Sequence, residues 1–330
     1  MRFIKPSYEI MDMTDDMAVN IEKIARTCYK SENKITDGSA KKMVGALIRS
    51  QHEAMLEHES FFFEVSNLKD YFKIINHIDG LRSAGYTCML RTTYFNRGIV
   101  AGNIRMWRDF LKITIKTANN GICDSVPKDA SYEIDEDFRF FFGDLGEQAY
   151  NVFKKFNLRR IDKEMLDDIE RVIHYPITVK FICDRAIANE IVRHRASSFA
   201  QESTRYCSYN KEQFNGEIAF ICPFDIKEGT DEYDEFKNFC EGAERQYMNM
   251  INKGIKPQIA RNVLPLALKT ELCMTATIEN WRHFFELRAC DSTGPAHPQI
   301  KELAIPLLLE LKNKYPNDFP MTPVANPAQA

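Results

Sequence analysis

Arg193-His194-Arg195-Ala196-Ser197-Ser198-Phe199-Ala200-Gln201-Glu202-Ser203-Thr204-Arg205-Tyr206 gathers three guanidinium groups and an imidazole beside a run of hydroxyl and amide donors. Upstream, Ile177 to Cys183 is β-branched and aromatic, as a buried strand requires, and Asp184 is placed to cap a helix through Ala186, Ile187, Ile191 and Val192. The Arg-His-Arg triplet therefore closes that helix. Taken alone, a basic triplet at a helix end is an ordinary dipole contact of roughly 0.3–1 kcal/mol. The residues after the triplet change that reading. Ser197, Ser198, Gln201, Ser203, Thr204, Arg205, Tyr206 and Ser208 form no apolar stripe, and they supply the donors that a phosphate and a heterocycle edge require. The stretch predicts an anion or nucleotide site on a strand-helix scaffold.

Outward from this stretch, apolar spacing predicts helices through Ala18, Ile21, Ile24 and Ala25, and through Met43, Leu47 and Ile48. Ser60 to Val65 reads as a strand with aromatics for a core face. Tyr86 to Thr93 reads as a strand, Asn103 to Ile115 as a helix, and Phe138 to Phe156 as a helix broken near Gly143, with the acidic segment Asp124 to Asp137 as an exposed loop. Beyond the basic stretch, Ile218 to Cys222 and Leu266 to Thr277 read as strands, and Asp231 to Asn252, Glu279 to Leu287 and Pro298 to Tyr315 as helices. The tail Pro320 to Ala330 is expected to lack fixed structure. No Gly-x-Gly-x-x-Gly or Gly-Lys-Ser/Thr loop is present, so a Rossmann or P-loop nucleotide site is unsupported.

The balance of 44% apolar and 28% charged residues in 330 positions suits a globular chain able to bury a sizeable core. A net charge of −3 argues against generic nucleic-acid coating, because such proteins carry a basic surplus. The positive charge is local, which suits a small anion. Nine cysteines occur without a Cys-x-x-Cys pair, a pattern of reduced thiols that predicts a cytoplasmic protein. No apolar leader and no run of about 18 apolar residues is found, so no membrane association is expected.

Arg193-His194-Arg195, a seven-residue spacer and Ser203, completed by Arg205-Tyr206, resembles the signature of the flavin-dependent thymidylate synthases. Ala25-Arg26-Thr27-Cys28-Tyr29, His52 to His58, Ala260 to Pro265, and Phe284-Phe285-Glu286-Leu287-Arg288 resemble further segments of that family, in family order. The resemblance implies an α/β (α+β) fold: a central, mostly antiparallel sheet flanked by helices. It implies one family domain over residues 1–330, with an inserted subregion at about 66–176 that is long enough to need structure of its own. It also implies reductive methylation of dUMP to dTMP, with methylenetetrahydrofolate as carbon donor and NADPH-reduced FAD as hydride donor, in a homotetramer whose sites are shared between subunits.

Residue by residue, the resemblance gives Arg193, His194 and Arg195 to the flavin, with Arg193 also facing the nucleotide. Gln201, Glu202, Ser203, Thr204 and Arg205 would form the uridylate loop, Gln201 also serving the flavin, and Arg261 would add a nucleotide contact. Arg288 would be catalytic, its guanidinium lying against the N3 and C4 carbonyl edge of uracil and favouring the N3-deprotonated, more polarised ring, without any enzyme nucleophile. His52, Ala54 and Glu57 match flavin-binding positions. Read without the resemblance, Arg288 also fits pairing with Glu286 or Asp291, Arg261 a solvated charge, and His52 a structural polar cap. His52 and His58 do not share a helix face, so no metal site is predicted.

Two departures stand out. Glu190 takes a position where many family members carry Gln, which sets a carboxylate toward the nucleotide. The usual Asn-x-Arg before the last arginine is replaced in register by Thr277 and Glu279, while Asn280-Trp281-Arg282 repeats the spacing three residues later, so either Arg282 and His283 take over those flavin contacts or the adenine end is held differently. The alternatives are a flavin-dependent methylase or hydroxymethylase of another pyrimidine nucleotide, and a non-catalytic nucleotide-binding module.

Overall fold

The structure is a computed structural model that describes residues 1–119, 135–211, 214 and 216–327. In chain order its strands are β1 (Arg2–Ile4), β2 (Ser7–Ile10), β3 (Ser60–Val65), β4 (Arg91–Tyr94), β5 (Gly98–Asn103), β6 (Arg159–Ile161), β7 (Pro176–Asp184), β8 (Ser198–Gln201), β9 (Ala219–Ile221) and β10 (Lys269–Thr277). Its helices are α1 (Met17–Tyr29), α2 (Ser39–Arg49), α3 (Leu68–Ser83), α4 (Ile104–Asn119), α5 (Glu136–Phe142), α6 (Glu147–Lys155), α7 (Asp168–His174), α8 (Arg185–Ile191), α9 (Asp231–Asn252), α10 (Pro257–Ala260), α11 (Ile278–Arg288) and α12 (Pro298–Lys314). The chain divides into two compact units: Met1–Met13, Lys23–Ile35 and Ile177–Ala330 form the first, Thr14–Glu22 and Thr36–Pro176 the second. The fold class is the expected one, antiparallel sheets flanked by helices.

In the first unit the sheet order is β2-β7-β10-β8. β2 runs antiparallel to β7, with Ser7 opposite Ile182, and β8 antiparallel to β10, with Gln201 opposite Leu272. Thr270 to Ala276 are all buried, so β10 has both faces covered, with the apolar run Leu272-Cys273-Met274 at its centre and Thr270, Glu271 and Thr275 buried around it. Helix α11 packs the aromatics Trp281, Phe284 and Phe285 against Phe181 and Phe319, each buried ring contributing roughly 1.5–3 kcal/mol. β1 pairs in parallel with β9 beside a smaller core of Tyr209, Phe220, Cys240 and Tyr247.

In the second unit the order is β4-β5-β3-β6. The period of two along β3 sends Phe61 and Phe63 into a core with Trp107, Phe141, Phe142 and Phe153, and Phe62 into another with Ile99, Ala101 and Ile161. β5 crosses close to its neighbours because Gly98 and Gly102 carry no Cβ; one added at Gly98 would strike the Tyr71 ring.

Several elements differ from expectation. The strand expected from Tyr86 begins only at Arg91, because Tyr86 N closes α3 on Leu81 and Arg82 Nε and Nη2 take the Cys88 carbonyl at 3.2 and 3.0 Å. The β10 strand starts at Lys269 and not at Leu266, since Leu268 N turns back to the Pro265 carbonyl. Most of the expected loop Asp124 to Asp137 lies outside the described residues, and its end starts α5, capped by Asp135. The tail is fixed at least to Val324, whose N–H donates to Ala289 O at 2.9 Å. Among the described residues no helix is long and apolar enough to cross a membrane.

Candidate functional site

The basic stretch is held by short-range rules. Asp184 Oδ1 accepts from Ile187 N at 2.7 Å, an N-cap that stabilises α8 by about 1 kcal/mol. The helix ends at Val192, and Arg193 N and His194 N return to the carbonyls of Glu190 and Ile191. The spacer from Ser198 to Gln201 is not a loop: it is β8, clamped along β10. Asn280, at the start of α11, donates Nδ2 to Ala196 O at 3.0 Å and so fixes the turn between the triplet and β8.

Arg288 meets residues nearly a hundred positions away. Its Nη1 donates to Glu190 Oε2 at 3.1 Å, and its Nε to His194 Nε2 at 3.2 Å. The expected alternative partners, Glu286 and Asp291, are not used; Asp291 pairs with Lys301. The His194 ring packs 4.9 Å from Phe284. Burial pushes its imidazole down to about 4, with Arg288 and His283 adding to the effect, so the ring is neutral and its Nε2 lone pair accepts from the guanidinium. Arg193 and Arg195 are exposed, and among the described residues their side chains make no hydrogen bond or ion pair. Ser197 Oγ between them and β8 is shielded from solvent without a partner.

The segment after β8 rests on a buried ionic network. Glu202 is 2% exposed and accepts from Lys269 Nζ at 2.9 Å and Tyr209 Oη at 3.3 Å. Lys269 also donates to Glu271 at 2.6 Å, and Lys30 donates to Glu271 at 2.8 Å. Burial opposes the Glu271 carboxylate, but Lys269 and Lys30 hold its carboxyl below the usual range. Above this network Ser203 N donates to Cys28 O at 2.9 Å, Arg261 Nη1 reaches Thr204 Oγ1 at 3.2 Å, and Arg205 lies over the Tyr206 ring at 5.3 Å. Gln201 Nε2 donates to Thr270 Oγ1. The loop therefore presents Ser203 and Arg205 outward while Glu202 anchors it. Lys30 and Lys269 carry this support, and no local pattern in the sequence marks them.

Arg282 turns its Nε to the Asp318 carbonyl at 2.6 Å, and His283 is exposed, 4.0 Å from Glu286. His52, Ala54 and Glu57 belong to the second unit. There His52 and Ala54 are exposed at the 3-10 turn Glu53–His58, and Glu57 accepts from Arg105 at 2.5 Å. Among the described residues no group of three or more His, Cys, Asp or Glu could hold a metal ion.

The family profile described as thymidylate synthase complementing protein matches residues 9–70 and 154–317, two blocks that make up more than half of the chain. The chain belongs to this family. A flavin-dependent thymidylate synthase of Pyrococcus furiosus is 33% identical over 132 residues, covering 40% of this chain and 52% of that protein. Another, from Thermococcus kodakarensis, is 31% identical over 163 residues, covering 46% and 64%. The chain spans about half the length of the curated relatives it matches. Among solved structures, a UMP/dUMP methylase PolB from Streptomyces cacaoi bound with 5-Br dUMP is 16% identical, with a TM-score of 0.40, covering 96% of this chain and 95% of that one. The unmatched stretch of the family profile, residues 71–153, falls within the second unit.

Proposed function

We propose that this protein methylates dUMP reductively to dTMP, taking the carbon from methylenetetrahydrofolate and the hydride from FAD reduced by NADPH. The observation that carries the reading is Arg288, held by Glu190 and His194 at the end of the basic stretch, in a chain of this family. The donor set fits an anionic flavin dinucleotide: Arg193 and Arg195 have no internal partner among the described residues, and Ser197 Oγ is an orphaned buried hydroxyl. Arg193, His194, Arg195 and Gln201 would hold the flavin in this unit, with Arg282 and His283 as further contacts, and the roles given to His52, Ala54 and Glu57 stand as proposals. When bound, FAD supplies the two-electron store that NADPH fills.

The chain's own residues then act on the nucleotide. Ser203 and Arg205 meet its phosphate, the guanidinium fork matching phosphate oxygens, and Arg261 and Thr204 extend that contact. Glu202 would serve the nucleotide by setting the loop's backbone. Arg288 places positive charge against the pyrimidine carbonyl edge, where negative charge develops as the ring is polarised, and the neutral His194 keeps the guanidinium aimed. No cysteine attack is required. We further propose one family domain with the insertion at about 66–176, a homotetramer with shared sites, and a cytoplasmic location.

The test is an absorbance spectrum of the purified protein, followed by anaerobic addition of NADPH with and without dUMP. The expected result is a flavin band that NADPH bleaches and that returns, with dTMP formed, when methylenetetrahydrofolate and dUMP are supplied. A colourless protein that neither takes up FAD nor makes dTMP overturns the reading.

A further inference from the structure

The loop after β8 alternates: Glu202 and Thr204 are buried, while Ser203 is half-buried and Arg205 exposed. Whatever grips the buried members therefore aims the other two. Two backbone bonds tie the loop to different elements, Glu202 N to the Glu271 carbonyl of β10 at 2.8 Å and Ser203 N to the Cys28 carbonyl of α1 at 2.9 Å. The Glu271 carboxylate joins β10 to the end of α1 a second time, because its Oε1 accepts both from Lys269 Nζ at 2.6 Å and from Lys30 Nζ at 2.8 Å. Lys269 extends the link to Glu202 Oε2 at 2.9 Å.

Glu202 is 2% exposed and Glu271 8%, so two desolvated carboxylates lie under a loop whose outward residues suit an anion. The two ammonium groups balance them. Burial opposes the Lys30 charge, but Glu271 and the more exposed Glu32 hold its ammonium above the ordinary value. Lys30 also stands at φ 48° just past the end of α1, in the left-handed region that favours glycine. Glycine would fit that backbone better; the lysine side chain is what reaches Glu271.

We propose that Lys269 and Lys30 are positioning residues for the nucleotide phosphate: with Glu271 between them they neutralise the floor of the loop and hold Ser203 and Arg205 where they receive that phosphate. This rests on dUMP being the substrate and on Ser203 and Arg205 meeting its phosphate. Without Lys269, two buried carboxylates lie beneath a dianion and oppose it by charge, and the loop has to be ordered on binding. Both effects fall on the phosphate, not on the uracil ring or the flavin.

The experiment titrates the flavin-loaded enzyme calorimetrically with dUMP and with deoxyuridine, which lacks the phosphate, in the wild type, Lys269→Met, Lys269→Arg and Lys30→Gly. The wild type prefers dUMP by about a hundredfold or more, the effect of two charge-assisted contacts. Lys269→Met lowers that preference by about tenfold or more and leaves deoxyuridine affinity within about threefold. Lys269→Arg, which keeps the charge, stays within about threefold of the wild-type preference. Lys30→Gly removes the ammonium yet suits the backbone, so it lowers the preference by about threefold to tenfold at a urea midpoint close to wild type. A full preference retained in both Lys269→Met and Lys30→Gly, or equal losses for the two ligands, overturns the role of the lysines. If Lys269→Met does not fold, Lys30→Gly decides by the same criteria. A wild type that binds neither ligand overturns the substrate reading, and one that binds both alike overturns the phosphate contacts of Ser203 and Arg205; the inference falls with either.

Discussion

Two arginines of this molecule, one in each unit, show how the same side chain is made structural or chemical. Arg108 in the second unit is 1% exposed: Nε donates to Glu53 at 3.0 Å, Nη1 and Nη2 clasp Asp144 at 2.7 Å each, and Nη1 also meets the Phe141 carbonyl. Lys112 completes the cluster on Glu53. Every nitrogen has a partner. Arg288 in the first unit keeps 22% exposure, one carboxylate, one neutral imidazole and an unused Nη2. A saturated, desolvated cation holds elements together, whereas an anchored but unsaturated one is available to a ligand.

Substitution can sharpen that contrast. Arg108→Met leaves Glu53 to Lys112 alone and takes the Arg108 donors from Asp144 and the Phe141 carbonyl, and should lower the unfolding free energy by about 3–5 kcal/mol, read as an earlier urea midpoint. A loss below about 1 kcal/mol would mean that Arg108 is no more structural than Arg288.

The next effect depends on pH. His174, 3% exposed beside Thr93, has its imidazole pushed down to about 4 by burial, with Arg91 adding to it, from an ordinary 6.5. Between those values the unfolded chain binds a proton that the folded chain refuses, so stability falls as pH drops from about 6.5 towards 4, by roughly 2–3 kcal/mol in all. His194 adds a loss of the same sign. His174→Gln should flatten the fall in denaturation midpoint over that window, and an unchanged slope would remove His174 as its cause.

Arg193→Ala, on the unsaturated side of the comparison, should weaken flavin and dUMP binding by about tenfold or more while the unfolding free energy stays within about 0.5 kcal/mol. A large stability loss would make Arg193 structural after all. The smallest effect belongs to Asn280→Ala, which frees the Ala196 carbonyl and should cost about 1 kcal/mol. Thermal denaturation against wild type reads it.

Legibility in the sequence followed the range of the interaction. Asp184 as a cap, α9 from Asp231 to Asn252, and the alternating Phe61, Phe62 and Phe63 were readable because caps and periodicity are local. The four residues of β8 gave no strand signal: Ser198 and Gln201 are polar, and what makes them a strand is β10, some seventy residues later. β5 was hidden by the glycines that let it pass Tyr71 and Leu90. Within the site, the donor residues stood out as a motif. The pairing of Arg288 with Glu190 and the lysines under Glu202 arise from contacts distant in sequence, and the tail looked structureless because Val324 is fixed through its backbone.

Arg288→Ala is the most direct test of the account, measured as dTMP formed per turnover beside the flavin spectrum of the same preparation. The account predicts a flavin band and urea midpoint close to wild type, with methyl transfer reduced by about a hundredfold or more, the range seen when one charge-stabilising donor is removed. A variant that keeps its flavin and makes dTMP at the wild-type rate would contradict it.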